Sequence, residues 1–444
     1  MPFKESVRES GSNKELHSDP ARVQRPLAEI HKDAAKGAIW ELIEPFLQWA
    51  ESVEYESFDW WDLWGTNCGC WAKKTYVRNK YLGTPAVALI AALDVVYPNF
   101  RRWVAEKRAY PICLAHVGLG YLNLWEVTGR REYLKQAEAL VEPLLRMAAG
   151  EARGLGWGFK HNWATVQGVI PADTPCNTQT AYAYDLFAKL LKATGNHVYL
   201  EYLASIAAHV ANDFPEWHEG EALVCAYSTI DKRKVVNANS YRMVMLLDAG
   251  IRFENQGYLD KGIATLRYVL AMQNADGSWP YSEDQSFVDT YHTCFVLKNL
   301  QRARSMLDVC QLKVNDSIRK GVQYYCEHLI DRQGHPIPFS VKPRLTLQKY
   351  DSYDLAESIG LLAELNIYPE RLAHLLRFAK TTFQTDEGWF IFRVYSFWPS
   401  DGIPYMRHAN TAMFLALTKA LTIPSTRTIP MAELATMPYS RKVE

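Results

Sequence analysis

The sequence predicts an all-α fold, an (α/α)6 toroid of helical hairpins joined by short β-turn and hairpin loops. Helical periodicity recurs in paired segments, and a glycine turn, often followed by an aromatic residue, recurs between the pairs. The glycines of these turns stand at positions 156, 220, 277, 334 and 388, at spacings of 64, 57, 57 and 54 residues. A repeat near 57 residues with one helical pair per unit gives about six pairs and favours a closed ring over shorter tetratricopeptide repeats of about 34 residues.

The stretch Met272–Leu300 shows the layout of one unit. One amphipathic helix ends, the chain turns through Asp276 and Gly277, and a second helix starts at Asp289. Asp and Gly favour turns because Asp hydrogen-bonds its own backbone and Gly accepts positive φ. This layout predicts inner helices whose starts face one shared pocket.

The predicted helices follow in order. They are Leu27–Val53, 80–97, Tyr110–Thr128 with Arg131–Ala149, Gln179–Thr194 with Val198–Asn212, Ala238–Asn255 with Leu259–Met272, Phe287–Met306 with Asn315–Leu329, Tyr350–Leu365 with Pro369–Phe383, and Tyr405–Leu421. The pairs are expected to turn at Gly129, Gly195 and Gly257. Because the last helix has no partner after it, we expect the N-terminal helix to pack on it. Residues 1–28 are expected to form a disordered or extended arm, 29–425 the toroid and 426–444 a tail.

Composition limits the function. Lys+Arg and Asp+Glu are both 49, which argues against a nucleic-acid or anionic-membrane surface, although charge can be uneven locally. The chain shows no apolar run of about 20 residues, so no membrane span is predicted. Eight scattered cysteines form neither a disulfide framework nor paired C-x-x-C units, which indicates a reduced, cytoplasmic protein. No metal and no cofactor are predicted.

Polar and aromatic residues gather at the starts of the predicted inner helices, where the helix dipole attracts anions. For Asn177 and Asp289, helix capping explains the residue equally well. Tryptophan faces in a concavity suit sugar rings, and wedging between helices is the alternative. The predicted substrate-binding residues are Trp157, His161, Asn177, Gln179, Asn239, Tyr241, Arg242, Trp279, Tyr353, Glu357, Arg393, Tyr405 and His408.

Five residues are candidates for catalysis. Histidine is the residue type whose ordinary pKa lies nearest neutrality, so His292 suits a general base. Tyr291 suits a phenolic acid, and Arg407 suits a bidentate carboxylate ligand. A structural histidine remains an alternative for His292. Glycoside hydrolysis needs two facing carboxylates, for which Asp289 and Asp354 are joined as candidates by Glu357, with Asp173 behind them.

Two resemblances support the fold. The block from Gln273 to Trp279 resembles the Q-W turn of triterpene cyclases, and the segment Asp289–Phe295 resembles the D-x-Y-H-T-C-Y segment of protein prenyltransferase β subunits. In those subunits the histidine is a zinc ligand, which would make His292 a ligand. The sequence lacks the D-x-C-Y that would supply further zinc ligands and the D-x-D-D acid of squalene-type cyclases.

Residues 60–420 are similar to toroid proteins of bacterial exopolysaccharide and capsule loci. The likeness rests on DGSWPYSED…FVDTYHTCFVL and EGWFIFRVY…IPYMRHANTAMFLAL. Such proteins are distant relatives of six-hairpin glycosidases, uronyl C5-epimerases and toroid polysaccharide lyases. The resemblance implies polysaccharide biosynthesis, with His292 or Tyr291 moving a C5 proton and Arg407 neutralising the uronate.

Four functions stay open at this point. The first is uronate C5 epimerisation or β-elimination on a sugar polymer or its lipid-linked precursor, with possible association with glycosyltransferases. The second is a glycoside hydrolase with paired carboxylates. The third is a non-catalytic glycan-binding or scaffold protein, and the fourth is a terpenoid or prenyl enzyme.

Overall fold

The computed structural model describes residues 34–149, 154–165, 168–307, 313–343, 346–400 and 402–423. The predicted arm, 1–28, and the predicted tail, 426–444, lie outside these ranges. Within them, no helix combines the length and the apolar character needed to cross a bilayer.

Six inner helices form a closed ring, as predicted. Each packs against the next along the chain, and the last packs against the first. A ring that closes in this way leaves no end repeat with an uncovered face. In order the inner helices are α5 (Pro111–Thr128), α8 (Asn177–Thr194), α10 (Val236–Arg252), α12 (Thr290–Met306), α14 (Ser352–Leu365) and α16 (Thr411–Leu421).

An outer layer of helices packs on this ring. Helix α1 packs against α16, which confirms that an N-terminal helix supplies the missing partner. The apolar faces of both layers meet in one continuous core. The outer helices are α1 (Ala34–Ser52), α6 (Arg131–Ala139), α7 (Val141–Arg146), α9 (Val198–Asn212), α11 (Gln256–Ala271), α13 (Val314–His328) and α15 (Pro369–Phe378), the last continued by a π-helical turn, Ala379–Phe383.

Between α1 and α5 the chain makes an insertion that the repeat pattern does not include. It contains the short helix α2 (Asp62–Gly65), a helical hairpin of α3 (Asn67–Arg78) and α4 (Lys80–Val96), and a 3₁₀ turn, Pro98–Trp103. Helix α4 matches the helix predicted at 80–97. The hairpin is attached to the toroid through α2 and through strand β1 (Trp163–Thr165).

Short antiparallel ladders connect the loops at the N-terminal end of the inner ring. Strands β1 with β2 (Gly168–Ile170) and β3 (Glu216–Glu219) with β4 (Ala222–Cys225) are local hairpins. By contrast, β5 (Val288–Asp289) pairs with β6 (Phe339–Val341), and β7 (Gln348–Asp351) pairs with β8 (Arg393–Tyr395). These two ladders join the loop before one inner helix to the loop before the next, so the loops hold one another in place.

The glycine turns occur largely where the sequence predicts them. Gly129 and Gly195 end α5 and α8 with φ of 70° and 68°, the left-handed conformation that favours glycine. The turn predicted at Gly257 is corrected. Gly257 lies inside α11, and the chain turns just before it, with Glu254 at φ 51°.

Candidate functional site

The N-terminal ends of the inner helices meet at one end of the toroid, called the mouth below. His292 lies there in the first turn of α12, next to the N-cap residue Asp289. One Asp289 oxygen accepts the His292 backbone N–H at 2.9 Å, and the other lies 2.6 Å from His292 Nδ1. An ionised carboxylate accepts hydrogen bonds, so Nδ1 carries the proton and Nε2 is left for proton transfer. The His292 side chain is 19% exposed, whereas that of Asp289 is fully buried.

Aromatic rings continue from His292 around the mouth. The Tyr291 ring centroid lies 4.1 Å from that of His292, Tyr353 follows at 5.1 Å from Tyr291, and His408 at 5.7 Å from Tyr353. Trp60 of the insertion lies 6.4 Å from His408. The structure thus brings four predicted residues from three different inner-helix starts into one wall.

The two tyrosines of this wall keep their protons. Burial raises the pKa of Tyr291 well above its ordinary value, and the negative charges of Asp289 and Asp354 act in the same direction. Burial also raises the pKa of Tyr353 well above its ordinary value. Both phenols are therefore hydrogen-bond donors throughout the physiological pH range.

Arg407 reaches the mouth but is already paired. Its Nε and Nη2 bond the two carboxylate oxygens of Asp59 at 2.5 and 2.6 Å. Burial would raise the pKa of Asp59, but the charge and the hydrogen bonds of Arg407 hold it well below its ordinary value. The pair joins the insertion to the start of α16, and the neutralisation of a substrate uronate by Arg407 stays a prediction.

Arg393 is the more exposed arginine of the mouth. Its Nε donates to Asp351 at 3.0 Å, and its guanidinium lies 4.3 Å from the Trp60 ring centroid. The Arg393 side chain is 17% exposed, compared with 9% for Arg407. Of these two charges, that of Arg393 is the nearer to solvent.

His161 and Asp62 line a smaller cavity beside the mouth, of about 290 Å³. Burial lowers the pKa of His161 to about 4, and its ring stacks on Trp61 with a centroid distance of 6.4 Å. Burial and the charge of Asp59 raise the pKa of Asp62 to about 6. A neutral imidazole and a carboxyl of raised pKa thus face the same cavity.

The other predicted carboxylates are buried. Asp354 accepts the backbone N–H of Tyr291 at 3.2 Å, and burial, reinforced by the charges of Asp351 and Asp289, raises its pKa well above the ordinary value. Glu357 accepts a bond from Lys298, and burial raises its pKa. Asp354 and Asp289 both accept backbone N–H groups of the first turn of α12, those of Tyr291 and His292.

A second cavity, of about 830 Å³, runs inside the inner ring towards the C-terminal ends of its helices. Glu357 and Tyr241 line it, and the Tyr241 hydroxyl lies 2.8 Å from that of Tyr182. Glu357 and Tyr241 were both predicted to bind substrate at the helix starts. The structure places them on this interior cavity and not in the aromatic wall.

The prediction that Trp157 and Trp279 bind substrate is corrected. Both are buried at the ends of outer-helix loops, where their indole N–H groups donate to the carbonyls of Leu144 at 2.8 Å and Val269 at 3.0 Å. A ring with no exposed face cannot stack on a sugar. These residues wedge helices together, the alternative that the sequence left open.

Five further predicted residues are also corrected, because each is buried in packing. Asn239 bonds both the N–H and the carbonyl of Cys225, which ties β4 to α10. Arg242 donates to the carbonyl of Val210 and to Glu216. The other three are Asn177, Gln179 and Tyr405. The Asn177 amide donates to the Ala226 carbonyl, and the Tyr405 ring lies under the Arg101 guanidinium.

The sequence prediction missed the contribution of the insertion. Asp59, Trp60, Trp61 and Asp62 all lie at or beside the mouth. Their signal was visible as three tryptophans and two aspartates within residues 59–64. The run lies outside the 57-residue repeat, so periodicity could not assign it to the mouth.

The described residues contain no group of three or more His, Cys, Asp or Glu side chains that could hold a metal ion. The donors at the mouth are mainly paired with one another, as in Asp289 with His292 and Asp59 with Arg407. The chemistry that this arrangement offers is proton transfer and hydrogen bonding next to aromatic faces.

The fold and the mouth place the chain among the (α/α)6 toroids, a class that includes sugar-processing enzymes. No family profile matches the chain, and no curated protein matches its sequence. Solved structures do match its fold. A sugar epimerase from a ruminal bacterium has a TM-score of 0.56 at 12% identity, covering 71% of this chain and 88% of the other.

Two further matches have different activities in their names. A polysaccharide lyase has a TM-score of 0.51 at 11% identity, covering 76% of this chain and 97% of the other. A family 88 glycosyl hydrolase from Bacteroides vulgatus has a TM-score of 0.50 at 10% identity, covering 71% and 92%. At these identities the likeness establishes the toroid fold and leaves the reaction open.

Proposed function

We propose that the protein is a sugar-processing enzyme that moves a proton at a carbon next to a carbonyl or carboxylate. His292 is the general base, and the mouth is the substrate site. Uronate C5 epimerisation and β-elimination, within polysaccharide biosynthesis, are the first reactions to test. The observation that carries the proposal is the Asp289–His292 pair, partly exposed in an aromatic wall.

The pairing suits His292 to this role. Asp289 fixes the tautomer and the orientation of the imidazole, and it stabilises the imidazolium that forms when Nε2 takes a proton. Asp289 is itself fixed because it caps α12 through the His292 backbone N–H. The base is therefore held in position before substrate binds.

Removal of such a proton leaves negative charge on the neighbouring oxygen, which the enzyme must stabilise more strongly than the substrate. Tyr291 and Tyr353 supply phenol donors that stay protonated. The inner-helix starts add partial positive charge directed at the mouth. We assign the remaining charge neutralisation to Arg393, because it is the more exposed of the two arginines and bonds its carboxylate partner, Asp351, through Nε alone, whereas Arg407 bonds Asp59 through two nitrogens.

The aromatic wall favours a sugar as the substrate. Sugar rings stack their C–H faces on indole and phenol rings, and Trp60 and Tyr353 provide such faces on either side of His408. The epimerase and lyase activities in the names of structures with the same fold agree with this chemistry. Hydrolysis by Asp289 and Asp354 is less well supported, because both carboxyls are buried and both accept backbone N–H groups of the first turn of α12.

The test is incubation of the protein with uronate-containing polymers and oligosaccharides in heavy water. Deuterium incorporation at the reacting carbon indicates epimerase chemistry, and new ultraviolet absorbance indicates a lyase. New reducing ends without that absorbance would indicate a hydrolase and overturn the proposal. Glycan binding without any product would make the mouth a binding site only.

The variant His292→Gln tests whether His292 is the general base. We expect turnover to fall at least about 100-fold, since general base catalysis contributes roughly 10²–10⁴. The matched control is His328→Gln, on the outer helix α13, where the side chain is 52% exposed. Full activity of His292→Gln would remove His292 from the mechanism.

A further inference from the structure

The α3–α4 hairpin of the insertion carries a concentration of exposed apolar side chains. Of the sixteen large apolar side chains that are exposed in the described part of the chain, ten lie between residues 71 and 104, seven on the hairpin itself and three in or next to the 3₁₀ turn that follows it. They include Leu82 at 71%, Leu89 at 63% and Trp103 at 73% exposure. Single exposed apolar residues are normal on protein surfaces, but a contiguous group marks an interaction surface.

The hairpin nevertheless has packing and ion-pair contacts of its own. Helix α4 packs on α3 at Gly83, where an added Cβ would come within 2.1 Å of the Tyr76 backbone. The acid within α4, Asp94, is buried in an ion pair with Arg101 of the 3₁₀ turn. The hairpin is thus held by its own contacts, and its outward apolar faces are available to a partner.

The same segment is strongly basic. Residues 67–108 contain eight Lys or Arg against two Asp or Glu, although the whole chain has 49 of each. Five of the eight are exposed: Lys74, Arg78, Lys80, Arg102 and Lys107. The neutral total, which argued against an anionic membrane surface in the sequence, conceals a local excess of positive charge.

We propose that the α3–α4 hairpin docks the protein on the surface of an anionic lipid bilayer. The exposed leucines and valines enter the boundary of the acyl chains, and Lys and Arg contact lipid phosphates. Trp71, Tyr81 and Trp103 are suited to the headgroup level, where tryptophan and tyrosine are enriched. Helix α4 lies along the surface in this arrangement and does not cross the membrane.

The charge favours a membrane over a second copy of the chain as the occupant. A symmetric dimer through this hairpin would place the same patch of both subunits face to face. Two basic surfaces would then oppose each other at short range, which is unfavourable. An anionic bilayer instead complements the charge and covers the apolar side chains at the same time.

Docking would also orient the toroid. Helix α3 packs on α2 and β1, and its Lys73 lies 3.8 Å from the ring centroid of Trp61 beside the mouth. A membrane-bound hairpin therefore holds the mouth next to the lipid headgroups. This inference does not depend on which reaction occurs at the mouth.

The experiment is flotation of the full-length protein with vesicles. Vesicles of phosphatidylcholine alone are compared with vesicles that also contain phosphatidylglycerol, at low and high salt. We expect binding to the anionic vesicles that weakens as salt screens the charges. The double variant Leu82→Glu with Leu89→Glu should abolish binding. The double variant Arg78→Glu with Lys80→Glu should weaken binding at least about 25-fold, because each basic residue removed costs about fivefold in affinity.

Matched controls lie away from the hairpin. Ile251→Glu changes an exposed apolar residue at the C-terminal end of α10, and Arg131→Glu with Lys135→Glu changes two exposed cations on α6. All should bind anionic vesicles like the unaltered protein. Brominated lipids should quench tryptophan fluorescence in the unaltered protein and less in Trp71→Phe with Trp103→Phe.

Either of two results would overturn the proposal. One is equal binding, or no binding, to neutral and anionic vesicles. The other is a concentration-dependent dimer in solution that Leu82→Glu with Leu89→Glu dissociates, in the absence of vesicle binding, which would assign the hairpin to a second copy. Neither result bears on proton transfer by His292, which is measured separately.

Discussion

The buried Asp59–Arg407 pair joins the insertion to the start of α16 at the mouth. The two residues are 348 positions apart, and the Asp59 side chain is fully buried. Asp59→Asn keeps the shape of the side chain but leaves the guanidinium without a balancing charge. Breaking one side of a buried ion pair typically costs about 3–5 kcal/mol of unfolding free energy.

That cost converts into a measurable change in melting temperature. At about 2 cal/mol/K per residue, a toroid of this size has an unfolding entropy of roughly 0.8 kcal/mol/K, so Tm should fall by about 4–6 °C. The measurement is calorimetry or near-ultraviolet circular dichroism at one fixed scan rate, since large proteins often unfold irreversibly. Asp386→Asn, at an exposed loop position, is the control and should leave Tm within about 1 °C.

A second variant distinguishes lost charge balance from lost packing. Asp59→Leu with Arg407→Met removes both charges and should recover much of the stability, because an apolar replacement of a buried pair is often neutral. The pKa of Asp59 is held below its ordinary value, so its contribution to stability is complete above about pH 4 and is lost at more acidic pH. A Tm within about 1 °C of the unaltered protein for Asp59→Asn at neutral pH would refute the reasoning.

Three further predictions concern packing and titration. Trp279→Ala should cost about 3–5 kcal/mol of stability in urea unfolding, because the indole is buried and bonds Val269, and a loss below about 1 kcal/mol would contradict its role as a wedge. Gly277→Ala should lower Tm, since φ is 94° and the new Cβ would lie 2.4 Å from the Lys320 carbonyl oxygen, whereas Gly402→Ala, with open space around it, should not. The pKa of Asp62 is raised to about 6, which means that ionisation of this carboxyl opposes folding. Near pH 8, Asp62→Asn should therefore be more stable than the unaltered protein by on the order of 1–3 kcal/mol. Near pH 4 it should lose that advantage. Equal stability at both pH values would show that the Asp62 carboxyl titrates normally.

Much of the fold was predictable because its signals are local. Helical periodicity identified the hairpins, and left-handed glycines such as Gly129 and Gly195 marked their turns. The Asp289–His292 pair was predictable in part for the same reason, since an N-cap and a residue three positions later are neighbours whatever surrounds the helix. Gly257 shows the limit of this approach, because Glu254 could adopt the turn conformation at a site where glycine was expected.

Most of the site depended on contacts between distant segments. Trp157 and Trp60 look alike in sequence, yet one is buried between helices and the other lies at the mouth. Which face a tryptophan shows is decided by the elements packed around it, and those are far away in the chain. The pairing of Arg407 could not be predicted for the same reason, because its partner Asp59 comes from an insertion outside the repeat.

By itself the amino-acid sequence determined the helical pairs, their period and the polar character of the inner-helix starts, since each follows from residues within one or two turns of each other. Only the tertiary structure decided which of those polar residues line the mouth, which are paired with buried charges, and where the positive charge of a neutral chain is concentrated. Ring closure brings α1 to α16 and the insertion to the mouth. Burial and charge balance at such junctions are properties of the assembled toroid, because each depends on side chains contributed by more than one repeat.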